Sequence, residues 1–152
     1  MTAKDIMTKN IITATGDMSI YQAAQLLNTY HLTGLPVVKD NKLMGIITES
    51  DFILKRLDIH LPSFLKLLNS IPFDDINQNK LSEDYKHLLE IKVADIMTKE
   101  VITISPDTPI EKIAHILTSQ KVNPLPVVDN DSKLVGIISK ADLVKLLTTI
   151  PS

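Results

Sequence analysis

Apolar positions along the chain follow two spacings that alternate. Ile20, Ala23, Ala24 and Leu27 recur at i, i+3, i+4 and i+7, and Ile110, Ile113, Ala114 and Leu117 repeat that stripe. The spacing predicts two amphipathic helices. Ser19 is suited to cap the first, and Pro109 to stand in the first turn of the second. A short β-rich run precedes each helix, Ile11-Ile12-Thr13 in one case and Val101–Ile104 in the other. Two short apolar runs joined by an Asp/Asn-rich turn follow each helix, 35–39 with 43–48 and 125–129 with 134–139. These predict hairpins. A closing helix then begins after Thr48 or Ser139. It carries Phe52, Ile53 and Leu57 in the first case, and Leu143, Val144 and Leu147 in the second. The chain therefore reads β-α-β-β-α twice.

Residue identities follow the same duplication. Asp5-Ile6-Met7-Thr8-Lys9 returns as Asp95-Ile96-Met97-Thr98-Lys99, and Leu35-Pro36-Val37-Val38 as Leu125-Pro126-Val127-Val128, both at an offset of 90. One extra residue in the second turn shifts the offset to 91, where Gly45-Ile46-Ile47 meets Gly136-Ile137-Ile138 and Asp51 meets Asp142. The expected class is α/β (α+β): copy one over 1–57, copy two over 93–152, and a helical middle segment over 58–92. Runs such as Val37-Val38 and Ile46-Ile47 read as buried on both faces. One copy alone would leave apolar surface bare, so the two are expected to pack with pseudo-twofold symmetry. In the middle segment, Phe64, Leu65, Leu68 and Ile71 fit one helix face, 72–79 reads as loop, and Ser82 is an N-cap for a second helix.

Composition narrows the function. With no cysteine among 152 residues, disulfides, thiolate metal sites and cysteine nucleophiles are excluded. Arg56 is the sole arginine, aromatics make up 4% and the net charge is −2. This is no basic, base-stacking surface for nucleic acid. No apolar run approaches the ~18 residues of a membrane span. The start, Met1 to Asp5, does not read as a signal peptide. A soluble cytoplasmic protein is expected, with neither nucleic acid nor membrane as partner. His31, His60, His87 and His115 are too far apart for a metal-binding histidine motif, and Asp74-Asp75 reads as solvated turn. None of the glycine-rich phosphate loops or serine-nucleophile motifs occurs. No enzymatic activity is expected.

A tandem β-α-β-β-α unit with D-I-M-T, [GP]-L-P-V-V and G-I-I-[ST]-x-x-D in order, twice, resembles the CBS-domain family. A tandem pair of such domains is called a Bateman module. The resemblance covers both copies, about 110 residues. It implies two clefts between the copies that bind adenosine-containing ligands: AMP, ADP, ATP or S-adenosylmethionine. One cleft would use Thr48, Ser50 and Asp51 with Ile102, Asn123 and Pro124. The other would use Ser139 and Asp142 with Ile12, Thr33 and Gly34, and Lys140 beside them. The aspartate would accept ribose hydroxyls, a hydrogen-bonding role acidic residues also take in dinucleotide sites. The base would lie against the other copy's first strand. Thr48-x-x-Asp51 and Ser139-x-x-Asp142 are also capping-box patterns, a role compatible with ribose binding.

Neither turn pair, Thr33-Gly34 or Asn123-Pro124, carries a basic residue, and Glu49 follows Thr48 where Lys140 follows Ser139. Phosphates would therefore rely on lysine point charges rather than a guanidinium fork. Lys9, Lys99, His31 and Lys121 are further candidates for that contact. The Asp142 cleft is accordingly expected to take an anionic nucleotide, and the Asp51 cleft a less charged adenosyl ligand or none. The resemblance further implies a homodimer and a regulatory role exerted in trans on another protein, with no cofactor required. The alternative is a scaffold or dimerisation module whose clefts hold no ligand.

Overall fold

The computed structural model describes residues 1–54, 90–120 and 122–149. Lys121, Leu57 and the expected helices and loop between 58 and 89 lie outside the described residues. The elements are α1 (Ala3–Ile6), α2 (Ile20–Thr29), β1 (Gly34–Lys39), β2 (Lys42–Thr48) and α3 (Glu49–Leu54) in the first copy. The second has α4 (Val93–Ile96), α5 (Ile110–Ser119), β3 (Leu125–Val128), β4 (Leu134–Ile138) and α6 (Lys140–Thr149).

Both expected amphipathic helices form. In α2 the Ser19 hydroxyl accepts from Gln22 N–H at 3.2 Å while the Gln22 side chain accepts from Ser19 N–H at 3.1 Å. This closes a reciprocal cap over otherwise orphan donors. Pro109 stands one position earlier than expected, as the N-cap of α5. Both hairpins form, β1 with β2 and β3 with β4, antiparallel and each with an irregularity after its first central valine. Asp40 and Asn41 both have positive φ, 52° and 65°. That matches the tight two-residue turn whose twist suits a hairpin.

The first expected strand of each copy does not form as a strand: a single parallel bridge stands instead, Ala14, one residue past Ile11–Thr13, on Val37, and Ile104 on Val127. Proline explains the truncation. Ala14 N–H donates to Pro36 C=O and Ala14 C=O accepts from Val38 N–H, both at 2.9 Å. The next rung would need an N–H on Pro36, which has none. Ile12 therefore has no backbone hydrogen bond among the described residues. Pro126 imposes the same stop on the second copy, where Ile104 is the last residue paired.

The opening D-I-M-T segments form short helices and cross over. Thr8 exchanges two backbone hydrogen bonds with Ile137 of β4 (2.9 and 3.0 Å), and Thr98 exchanges two with Ile46 of β2 (2.9 and 2.8 Å). Each core therefore draws on both copies. One gathers Ile20, Leu27, Leu35, Val37 and Ile47 with Val93 and Ile96; the other gathers Ile113, Leu117, Leu125, Val127 and Ile138 with Ala3, with Ile6 and Met7 packed against it. Burying such side chains supplies roughly 1.5–3 kcal/mol each.

The crossing explains two of the glycines. A Cβ on Gly45 would stand 2.8 Å from both Met97 Sδ and Thr98 O, and one on Gly136 would collide with the Met7 side chain. The glycine of G-I-I is the seat for the methionine of the other copy's D-I-M-T.

Candidate functional site

Two capped aspartates stand at equivalent places, one per copy. Asp51 Oδ2 accepts from Thr48 N–H at 2.8 Å and from the Thr48 hydroxyl at 3.3 Å. Asp142 Oδ2 accepts from Ser139 N–H at 2.7 Å and from the Ser139 hydroxyl at 3.2 Å. Each carboxylate is thus fixed at the start of its helix by the hydroxyl residue three positions earlier. Their second oxygens differ. Asp51 Oδ1 accepts from the Thr98 hydroxyl at 2.9 Å, and Asp51 is 6% exposed. Asp142 is half-buried, and no hydrogen bond reaches its Oδ1 among the described residues.

Asp142 lines a cavity of about 270 Å³ between the two copies. That lies just below the ~300–1,000 Å³ range of small-molecule sites. Ser139, Ile12, Thr33 and Gly34 line the same cavity, so the structure brings these together with Asp142, whereas Lys140, expected beside them, is not in the lining. The open backbone edge of Ile12 belongs to one copy and the carboxylate of Asp142 to the other. A ligand between them touches both halves.

Asn123 and Pro124, expected with Asp51, also line this cavity. They stand across from Thr33-Gly34 near the pseudo-twofold axis, where the Asn123 amide reaches the Thr33 hydroxyl at 3.4 Å. A Cβ on Gly34 would stand 2.8 Å from Pro124 Cδ, so glycine lets the two turns meet. Asn123 Oδ1 accepts from Lys140 N–H at 3.0 Å, tying the turn to the start of α6. The Asn123–Pro124 peptide is cis. The Lys140 side chain is exposed, and only its backbone N–H takes part, through that bond to Asn123. Ser50 and Ile102, expected with Asp51, are exposed, and Thr48 is half-buried.

Four further polar residues reach the cavity, Thr8, Asn10, His31 and Lys145, beside the apolar Ile11, Leu32, Ile137 and Ala141. His31 was an expected phosphate contact. Lys145 was legible, because three positions beyond Asp142 is the same helix face. Thr8 and Asn10 arrive only through the crossing of the opening segment. Among the described residues no group of three or more His, Asp or Glu side chains is placed to hold a metal ion, and no helix is long and apolar enough to cross a membrane.

The sequence profile of the CBS domain matches residues 3–58 and 93–149. The chain belongs to the CBS-domain family. As a CBS pair it is 35% identical to an uncharacterized protein, MJ1426, of Methanocaldococcus jannaschii, across 97% of this chain and 91% of that one. Among solved structures it is similar to CBSX2 in complex with AMP, at a TM-score of 0.72 and 27% identity over 99% of both chains. It is also similar to the CBS domain pair of protein MJ0100 in complex with 5′-methylthioadenosine and S-adenosyl-L-methionine. There the TM-score is 0.67 and the identity 27%, over 97% of this chain and 99% of that one. Both of these similar CBS pairs are thus seen with adenosine-type small molecules.

Proposed function

We propose that this CBS pair is a ligand-sensing regulatory module that binds an adenosine-containing molecule in the Asp142 cleft. The observation that carries the reading is the Asp142 carboxylate. One oxygen is spent on the Ser139 cap and the other has no partner among the described residues, in a cavity shared by both copies. A carboxylate held this way accepts the two hydroxyls of a ribose. The open N–H and C=O of Ile12 are suited to the edge of the base, and Thr33-Gly34 and Pro124 to its faces. Lys145 and His31 supply positive charge for a phosphate or for the carboxylate of an S-adenosyl amino acid. The AMP held by CBSX2 and the adenosyl ligands held by the MJ0100 pair support this ligand class for the present chain. AMP, ADP, ATP and S-adenosylmethionine all belong to it.

Regulation follows from the cavity's two-sided lining. A ligand touching both copies favours whichever relative placement it binds better, and only to the extent of that difference in affinity. A second protein reading that placement in trans is the output. The module acts without a cofactor and without enzymatic activity, in the cytoplasm, as a homodimer. A second reading, a scaffold with empty clefts, is favoured at one place only, the Asp51 carboxylate already bonded to Thr98.

Thermal unfolding with AMP, ATP, S-adenosylmethionine and buffer alone tests the reading. A ligand that binds only the folded state raises the Tm, by mass action. At least one of these compounds is expected to raise it, and Asp142→Ala to remove the rise. No shift with any of them favours the scaffold.

A further inference from the structure

We propose that Thr98 is a latch on the Asp51 cleft, so that the two clefts of this chain are inequivalent and only the Asp142 cleft takes a ligand without breaking an internal bond. The latch itself stands on geometry alone; the ligand half rests on the sensing function proposed above.

Thr98 comes from the opening segment of the second copy, and two backbone hydrogen bonds to Ile46 fix it against β2. From there its hydroxyl donates to Asp51 Oδ1 at 2.9 Å, on a carboxylate that is 6% exposed. A hydrogen bond to a charged acceptor is among the stronger kinds, and stronger still away from water. The aligned residue Thr8 is pinned to Ile137 in the same manner, and both Thr8 and Asp142 line the cavity. Yet no hydrogen bond joins Thr8 to Asp142 among the described residues. The same two residue types are closed in one half and open in the other.

A ribose hydroxyl arriving at Asp51 Oδ1 must displace the Thr98 hydroxyl. It breaks a bond within the protein to make its own, whereas at Asp142 Oδ1 it has only solvent to displace. Sequence differences point the same way. Glu49 stands where the second copy has Lys140, and Leu54 aligns with Lys145. At these two aligned positions the first copy has an acid and an apolar residue where the second has lysines.

Two measurements test the latch. The first needs no ligand: a thermal double-mutant cycle on Thr98→Val and Asp51→Ala. The Tm loss of the double variant is expected to fall short of the summed single losses by about 2–4 °C, the shift expected in a chain of this size for two side chains that act on each other. The losses from Thr8→Val and Asp142→Ala are expected to add. Additive losses at Thr98 and Asp51 overturn the latch. The second is calorimetric titration of the unmodified protein with AMP. One equivalent per chain, lost in Asp142→Ala and retained in Asp51→Ala, is expected. Two equivalents of equal affinity, or binding that survives Asp142→Ala, overturn the inequivalence. A coupled Thr98–Asp51 pair in a protein that binds no adenosine compound leaves the latch standing and refutes the sensing function instead.

Discussion

Replacing Gly45 by alanine tests the crossed arrangement of the two copies. The new Cβ would stand 2.8 Å from Thr98 O and 2.8 Å from Met97 Sδ. A methionine tip can swing aside, but Thr98 O cannot. It accepts from Ile46 N–H at 2.9 Å, and Thr98 N–H donates back to Ile46 C=O at 2.8 Å. Relief therefore requires both bonds to lengthen and α4 to shift with them. Overpacking of this kind costs about 1–3 kcal/mol, and the stiffer alanine returns about 0.5–1 kcal/mol of that. A net loss of about 1–2 kcal/mol lowers the Tm by roughly 2–8 °C in a chain of this size. At Gly136 the nearest atoms all belong to the Met7 side chain, so Gly136→Ala is expected to cost less, and Met7→Ala to restore part of it. Gly16→Ala, whose Cβ would meet only Ala94 Cβ at 3.3 Å, is expected to cost least. Differential scanning calorimetry of the three variants without ligand gives the order. A Gly45→Ala protein as stable as the parent would refute the seating of each opening segment on the other copy's sheet.

Other expectations follow from single contacts. Ser19→Ala removes the α2 cap at a buried position and is expected to cost about 1 kcal/mol in urea unfolding. Lys145→Ala is expected to weaken AMP binding about five- to tenfold, equivalent to ~1–1.4 kcal/mol, while leaving adenosine binding unchanged in the same titration. The Asp5 carboxyl is held below its ordinary value of 3.8 chiefly by the Thr2 backbone N–H, with the Thr2 hydroxyl adding to it. Its contribution is present above that value and lost as pH falls through the lower folded one. Asp5→Asn is therefore expected to flatten the acid end of the pH–stability curve, and an unchanged curve would count against this cap.

Much of this arrangement was legible in the sequence because it is periodic or local. The stripes of α2 and α5 form as spaced, and the Ser19, Thr48 and Ser139 caps follow from residues three apart. The Asp40-Asn41 turn and its hairpin need only neighbouring residues. Crossing of the opening segments was not legible, since Asp5–Thr8 is too short to show a period and its partner lies about 130 residues away. For that reason the sequence points to Ile12, Thr33, Gly34, Ser139 and Asp142 at the cavity but gives no sign of Thr8 and Asn10 there. Shortening of the first strands had a visible cause, Pro36 and Pro126, whose missing N–H groups stop the parallel pairing. Opposite states of Asp51 and Asp142 were beyond any alignment of the copies, because Thr98 and Thr8 are the same residue in the same motif.

A crystal structure of the protein grown with AMP addresses the proposed function most directly. The expected result is one nucleotide per chain in the Asp142 cleft, its ribose hydroxyls on Asp142 Oδ1, its base edge on the Ile12 backbone and its phosphate toward Lys145. Clefts free of nucleotide at saturating AMP, or a nucleotide held by Asp51 with Thr98 displaced, would contradict it.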